Sequence, residues 1–571
     1  MKIFKTYKIQ ALAAILAALC YSSCSDKWDE HYGENSEGIV NATLWEAISG
    51  NADLTNFAKV AKACGYDLAL DGSQTFTVFA PTNSSLSAEQ ADSLVNLYRE
   101  KKAEGVKTAE NPVVKQFLQN HIALYKQSVS SVTSDSLVMM NGKYQPFSSS
   151  AIGGESYETK NELYNNGILY TINGKVKYEP NVFEYLAMDH ELDSVYQFIN
   201  RFGKYEFDAN QSVPGSIVDG KTQYLDSVMV YNNRFFDSYG ELNAEDSTYW
   251  LLAPTNAEWK RMVEEYTPYF NFDTKVENRD SLQYTLTRLM ILNSAIFNRS
   301  GNKDEAFRDS AVCTMAESDT YYTLYSNEKR TGIFYRPFDA GGIFEGTQDI
   351  ALSNGHVRKA SNFRITPYDN VLKKLLVEAE STFNLDTLDN AIDPYTVRNV
   401  PTNNPFYGKI SNNSFAEIAP KSLGSQPTVT FNIDNVLSKV GYDIYVVFAP
   451  ALAYDTLATD EQRLPVKFKT RIGYQASGAT VWERPVSSVT KPDVVDTVKV
   501  KSNYKFKTSG YGLSQGLPKI KIFTDVSSNQ TSKYQTTMRI DCIIVRPHDA
   551  PVSEAREIKT VSYTHLRAHE T

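Results

Sequence analysis

The spacing of apolar positions changes character twice along this chain. Residues 11–20 form an unbroken apolar run behind Lys2, Lys5 and Lys8, too short to span a bilayer. Between about residues 40 and 380, helical periods alternate with short apolar runs. Leu54, Phe57, Ala58, Ala61 and Cys64 share one helical face, with Gly65 as the stop. Leu192, Val195, Tyr196, Ile199 and Phe202 repeat that spacing before Gly203. Asn111-Pro112 opens another helix, with Val114, Phe117, Leu118 and His121 on its buried stripe. From about residue 381 the period becomes two. Val429, Phe431 and Ile433 alternate with polar residues, as do Tyr442, Ile444, Val446 and Phe448. The sets Val466, Phe468, Thr470 and Ile472, then Ile520 and Ile522, then Ile540, Cys542 and Ile544 continue the pattern. Short alternating strands joined by Gly, Pro, Asn and Ser loops predict an antiparallel β-sandwich over residues 381–550.

The helical region contains an internal repeat. Thr77-Val78-Phe79-Ala80-Pro81-Thr82-Asn83 answers Trp250-Leu251-Leu252-Ala253-Pro254-Thr255-Asn256. In each, proline ends an apolar strand because it has no N–H to give a ladder, and Thr-Asn suits the cap or turn that follows. His121 stands forty residues after Pro81, and Ser294 the same distance after Pro254. Farther on, Asn166-Gly167 and Asn354-Gly355 each give a tight hairpin signal before a strand. The second copy carries about 35 additional residues after Gly203, rich in Tyr, Asn, Asp and Ser.

The Phe-Ala-Pro-Thr-Asn motif, the helix ending in Asn120-His121 and the Asn-Gly strand resemble the fasciclin (FAS1) domain. The resemblance covers residues 41–178 and, more weakly, 181–378, where Ser294 replaces the histidine. It implies two α+β domains of an extracellular adhesion type that bind other proteins or matrix polysaccharides. The fold class expected is therefore multidomain: two α+β domains followed by an all-β, jelly-roll-like sandwich. His121 admits a ligand-binding or pH-responsive role, or a structural one in which it bonds a backbone group under the strand motif. The last strand of the sandwich resembles the closing strand of galactose-binding-like jelly rolls, a fold shared by several carbohydrate-binding modules. Tyr474, Trp482 and Tyr511 are the candidate glycan contacts, expected as exposed loop aromatics, since ring faces stack on sugars; the competing placement is packing beneath loops.

The N-terminus resembles a bacterial lipoprotein signal. Ser22-Ser23 precede Cys24, the candidate lipidation site, although Tyr21 stands where an aliphatic residue is usual. Residues 1–23 would be the signal peptide and 24–40 a polar tether, whose Ser-Asp-Lys-Trp-Asp-Glu start resembles the export signal of Bacteroidetes surface lipoproteins. The resemblance implies an outer-membrane protein, lipid-anchored and facing the cell exterior. Residues 561–571 resemble translated sequencing-adaptor read-through, so His565 and His569 are set aside.

Composition narrows the functional classes. Hydrophobic residues make up 42% and charged residues 22%, the balance of folded protein rather than of disordered or multi-span chains. Net charge is −9, and removing residues 1–23, with three lysines and no acids, takes it to −12. Nucleic acid is therefore not an expected partner. Beyond Cys20 and Cys24 only Cys64, Cys313 and Cys542 remain, read as buried thiols. No CxxC spacing occurs, and the HxxxH spacing of His565 and His569 lies in the tail set aside above, so neither metal nor cofactor is expected. Gly512-Leu513-Ser514-Gln515-Gly516 fits a nucleophile elbow in letters, but strand residues follow where a helix is required. The chain is read as a non-enzymatic binding protein for a polysaccharide or a surface protein. The alternatives are an adhesion protein that binds only proteins, or an accessory module with an unrecognised hydrolase site.

Overall fold

The structure is a computed structural model that describes residues 39–129, 135–218, 221–298, 311–322, 327–389, 392–422 and 425–550. The chain divides into two compact units, Met1–Pro180 and Asn181–Thr571.

In the first unit the predicted helical face becomes α2 (Thr55–Ala63), which follows α1 (Leu44–Gly50) and precedes α3 (Tyr66–Asp71). Gly65 sits at φ +82 between α2 and α3, in the left-handed region that glycine enters without strain. Strand β1 (Phe76–Pro81) is buried at all six positions, as its unbroken apolar run requires of a strand covered on both faces. After β1, Ser87 caps α4 (Ala88–Ala103) through a capping box with Gln90. The strands β2 (Ile122–Leu124), β3 (Asp135–Val138), β4 (Tyr144–Phe147), β5 (Ala151–Ile152), β6 (Glu155–Tyr164) and β7 (Gly167–Ile172) complete a sheet ordered β2-β1-β7-β6-β5-β4-β3. β1 and β7 run parallel, with Phe76 opposite Gly167 and Pro81 opposite Ile172. Helix residues Leu44, Ile48, Phe57 and Val60 pack with Val78 and Ala80, while Phe79 stacks on Tyr170 in a separate cluster. The helix predicted after Asn111-Pro112 is a π-helical turn over Val113–Leu118 that tightens to a 3-10 turn at Gln119–His121.

The second unit begins with α5 (Val182–Met188) and α6 (Asp193–Asn200). The inserted residues form a two-stranded ribbon, β8 (Gly203–Val218) with β9 (Lys221–Asn233), followed by α7 (Arg234–Tyr239). Then come β10 (Tyr249–Pro254), α8 (Asn256–Tyr266), α9 (Arg279–Leu292), β11 (Ile296–Asn298), β12 (Ala311–Tyr322), β13 (Asn327–Tyr335), β14 (Gln348–Leu352), β15 (Gly355–Ala360) and α10 (Pro367–Asn370). Their sheet is ordered β13-β12-β11-β10-β15-β14, with β10 parallel to β15 and Tyr249 opposite Gly355. The four strands β11-β10-β15-β14 thus repeat the arrangement β2-β1-β7-β6 of the first unit.

The period-two region forms two antiparallel sheets. One runs β18 (Ile392–Asn399), β19 (Ser414–Pro420), β27 (Met538–Pro547), β21 (Gly441–Phe448), β25 (Asp496–Lys505), with β16 (Leu375–Glu378) also on β27. The other runs β17 (Leu385–Leu388), β20 (Thr428–Asn432), β26 (Lys519–Thr524), β22 (Lys467–Ala476), β23 (Ala479–Trp482), with β24 (Val486–Val489) also on β22. Phe448 of one sheet meets Phe468 of the other at 4.6 Å between ring centroids, closing a β-sandwich.

The boundary expected between residues 378 and 381 is corrected. Leu375–Glu378 pairs with the last strand, so the sandwich begins before residue 381. Nor do residues 181–378 and 381–550 separate: one apolar core runs through both. Ser438 Oγ donates to the carbonyls of Pro268 and Tyr269, and Asp273 accepts from the Gly478 N–H at 2.9 Å. The Ser509 N–H donates to the Asn271 carbonyl at 2.8 Å. Among the described residues no helix is long and apolar enough to cross a membrane.

Candidate functional site

The Pro-Thr-Asn motif does its work through asparagine. Asn83 Oδ1 accepts from the Asn56 N–H at 3.0 Å, and its Nδ2 donates to the Ala52 carbonyl at 2.9 Å. Asn256 makes the same pair of bonds with the Ser194 N–H and the His190 carbonyl, at 2.8 and 2.7 Å. Thr255 Oγ1 caps α8, whereas Thr82 Oγ1 pairs with Ser84. The Asn-Gly turns carry a second clamp. Asn166 accepts from the Leu44 N–H and donates to the carbonyls of Leu70 and Gly72. Asn354 does likewise with Val182, Leu242 and Ala244. A β-carbon at Gly167 or Gly355 would run into the carbonyl of the paired strand, which explains the glycine after each asparagine.

His121 is fully buried and held at both ring nitrogens. Nε2 accepts from the Val176 N–H at 3.0 Å, so Nδ1 carries the proton and donates to the Phe117 carbonyl at 2.8 Å. Burial lowers its pKa to about 4, leaving a neutral imidazole under the Phe117 ring. Ser294 is also buried, with its hydroxyl unpartnered.

The three candidate sugar contacts are not assembled into one groove, and none is a free loop ring. Tyr511 is in a turn, but its ring packs edge-on against Phe270 at 5.6 Å and belongs to the continuous core. Tyr474 and Trp482 are on strands. Trp482 lies opposite Gly473 and Tyr474 opposite Val481 in the β22–β23 ladder, so their side chains leave opposite faces of the sheet. Tyr474 is engaged by Lys507, which donates to its hydroxyl and sits 4.1 Å from the ring centroid. Trp482 alone occupies the outward face. Its ring lies over Gly473, where a β-carbon would come within 2.9 Å of the indole, and Lys521 Nζ stands 4.5 Å from the ring centroid. The alternation that buries Phe468, Thr470 and Ile472 turns Lys467, Lys469 and Arg471 outward. The same alternation in β26 turns out Lys519 and Lys521.

At one end of the sandwich the structure collects a carboxylate cluster. One oxygen each from Glu378 and Asp541 and the Cys542 sulphur lie within 4.8 Å of one another. Ser411 donates its N–H to both Asp541 oxygens, at 3.1 and 3.2 Å, and its hydroxyl to Glu378. Asn412 donates to Glu380. The second oxygen of Glu378 has no partner, and buried Ser414 faces Glu380. None of the three acids forms an ion pair among the described residues. Burial raises Glu378 to about 7 and Asp541 to about 8, and raises Glu380 as well. Hard oxygen donors with unused lone pairs suit a divalent cation such as calcium, whose charge would offset three buried carboxylates. The expectation of no metal rested on cysteine and histidine spacing, a pattern that does not examine carboxylates more than 160 residues apart.

Ser514 sits in a bend between Gly512 and Gly516, both at positive φ, rather than between a strand and a helix. His548, the one histidine after it outside the set-aside tail, is held by Asp443 at 2.8 Å.

Residues 52–180 match the family model described as Fasciclin domain. Among solved structures, a FAS1 domain pair from the insect cell adhesion molecule fasciclin I is similar at 13% identity, over 56% of this chain and 100% of that one, with a TM-score of 0.19. A family 22 carbohydrate-binding module from a Clostridium thermocellum xylanase is similar at 9% identity, over 31% of this chain and 95% of that one, TM-score 0.21. A mannan-recognising carbohydrate-binding module is similar at 9% identity, over 30% and 97% of the two chains, TM-score 0.16. No curated protein matches the chain.

Proposed function

We propose that this chain is a surface-tethered binding protein that captures an extracellular polysaccharide on the outward face of its sandwich. The observation that carries the reading is Trp482, an aromatic platform laid over Gly473 on a sheet face that also presents lysine and arginine side chains. The fasciclin domain at residues 52–180 supports an adhesion setting. Residues 181–374 are read as a second, divergent fasciclin domain, because both asparagine clamps and the parallel strand pair recur there. Cys24, which lies outside the described residues, would carry the lipid anchor holding the protein to the outer face of the outer membrane. We assign the chain no catalytic step; Ser514 lacks the strand, helix and free histidine of an elbow. The cation of the carboxylate cluster would be structural, tying β16 and the loop at Ser411 to β27.

The test is a glycan array probed with the full chain and with Trp482→Ala. Saturable binding lost in the variant supports the reading, and binding indifferent to Trp482 removes it. A protein partner is the second reading, favoured by an apolar groove of about 420 Å³ in the first unit, lined by Leu86, Leu94, Leu97 and Phe117. Leu97→Asp would abolish adhesion under that reading and leave glycan binding intact.

A further inference from the structure

The outward face of the β26–β22 pair is basic on a chain whose net charge is −9. Five cations project from it in alternating positions of two neighbouring strands. Three of them are answered by carboxylates: Lys519 by Asp386, and Lys467 and Lys469 by Asp525. The other two are not. Arg471 and Lys521 are direct cross-strand partners, and neither forms an ion pair among the described residues. Arg471 donates its Nε to the Glu483 backbone carbonyl, which fixes the guanidinium beside the β23 edge and leaves its remaining N–H groups available. Lys521 rests over Trp482. Two uncompensated cations therefore flank Trp482.

We infer that the polysaccharide captured here is acidic, with a carboxylate on the sugar ring seated against Trp482. The inference rests on the reading of this face as the glycan site and adds the ligand's charge class. A neutral sugar would use these cations only as hydrogen-bond donors to its hydroxyls and would leave their charge unmatched. A uronate uses all three groups. Its ring lies on the indole, and its carboxylate accepts charge-assisted hydrogen bonds from the planar Arg471 fork and from Lys521, which leaves its perch over the ring. The matched lysines at either side keep the local potential positive, drawing a polyanion towards a protein that repels it elsewhere.

The experiment measures binding of the full chain to polygalacturonate and to the same polymer with its carboxylates methyl-esterified, at low and high salt. Arg471→Gln and Lys521→Gln are compared with the parent, since both keep the length of the side chain while removing its charge. Expected are binding to the acid form, a loss of about ten-fold for each variant, weakening with salt, and weak binding of the ester. Equal binding of acid and ester, abolished by Trp482→Ala, overturns the charge assignment while the glycan reading stands. Binding to neither polymer, nor to any other glycan, overturns both. Equally tight binding of double-stranded DNA also overturns the inference, because the face would then read charge without sugar.

Discussion

A calcium ion at the carboxylate cluster is expected to reverse the pH dependence of stability that the cluster gives the second unit. In the cation-free protein Glu378 releases its proton near 7 and Asp541 near 8, both displaced upward by burial. In the unfolded chain such groups release theirs near 4. Between those limits the folded state holds more protons than the unfolded state. The cluster's contribution is therefore fully present below about pH 4 and is lost as pH rises towards 7–8. For Glu378 alone, the displacement from 4.5 to about 7 corresponds to roughly 3 kcal/mol. Calcium requires the deprotonated carboxylates, so its stabilisation grows over the range in which the proton's disappears. At one hundred times its dissociation constant it adds about 2.7 kcal/mol. Thermal unfolding of the full chain, followed by circular dichroism in EDTA or in millimolar calcium at about pH 5 and about pH 8, reads both effects. Calcium should raise the midpoint at the higher pH and do little at the lower one. Asp541→Asn should be more stable than the parent in EDTA at the higher pH and should respond weakly to calcium. A midpoint that rises with pH in EDTA and ignores calcium would refute the reasoning, since the carboxylates would then be solvated or paired.

The first unit should show the opposite slope. His121, lowered from 6.5 to about 4, contributes stability present above about pH 6.5 and lost as pH falls towards 4, roughly 3 kcal/mol in all; His121→Gln should flatten that limb in hydrogen-exchange protection of residues 113–124. Asn166→Ala strands the buried Leu44 N–H and two carbonyls; it should cost about 3 kcal/mol, visible as early urea unfolding of that unit. Tyr511→Ala should lower the thermal midpoint by removing about 2–3 kcal/mol of packing against Phe270, and leave glycan affinity untouched, the reverse of Trp482→Ala. Cys24→Ala should abolish surface labelling on intact cells; unchanged labelling would rule out the lipid anchor.

The sequence carried the repeat because its marks are local. Ala-Pro-Thr-Asn must end a strand, and Asn-Gly must turn a hairpin, whatever lies around them. The strands with clean alternation, β20, β21, β22, β26 and β27, were legible for the same reason. β25 was not, because lysines and polar residues fill most of its exposed positions and only Val498, Val500 and Tyr504 mark its inner face. The inserted ribbon, whose composition reads as loop, gave no strand signal either. Side-chain direction was the larger loss. Tyr474 and Trp482 look equivalent in a list of aromatics, yet one ladder register sends them to opposite faces. The acidic cluster was invisible because Glu378 ends the first strand of the sandwich, Glu380 lies in the turn after it, and Asp541 is on the last strand. Only the β16–β27 pairing, with Glu378 opposite Cys542, joins them.

The seam between residues 266–273 and the sandwich has a consequence for heredity. Genes of multidomain proteins are reshuffled most freely where a cut leaves two intact cores. A crossover near residue 380 would part Phe270 from Tyr511, Asp273 from Gly478 and β16 from β27, leaving two raw apolar surfaces. One near Pro180 follows the division between compact units. The sandwich of this protein is thus a passenger of the segment before it, transmissible as a pair and sterile alone.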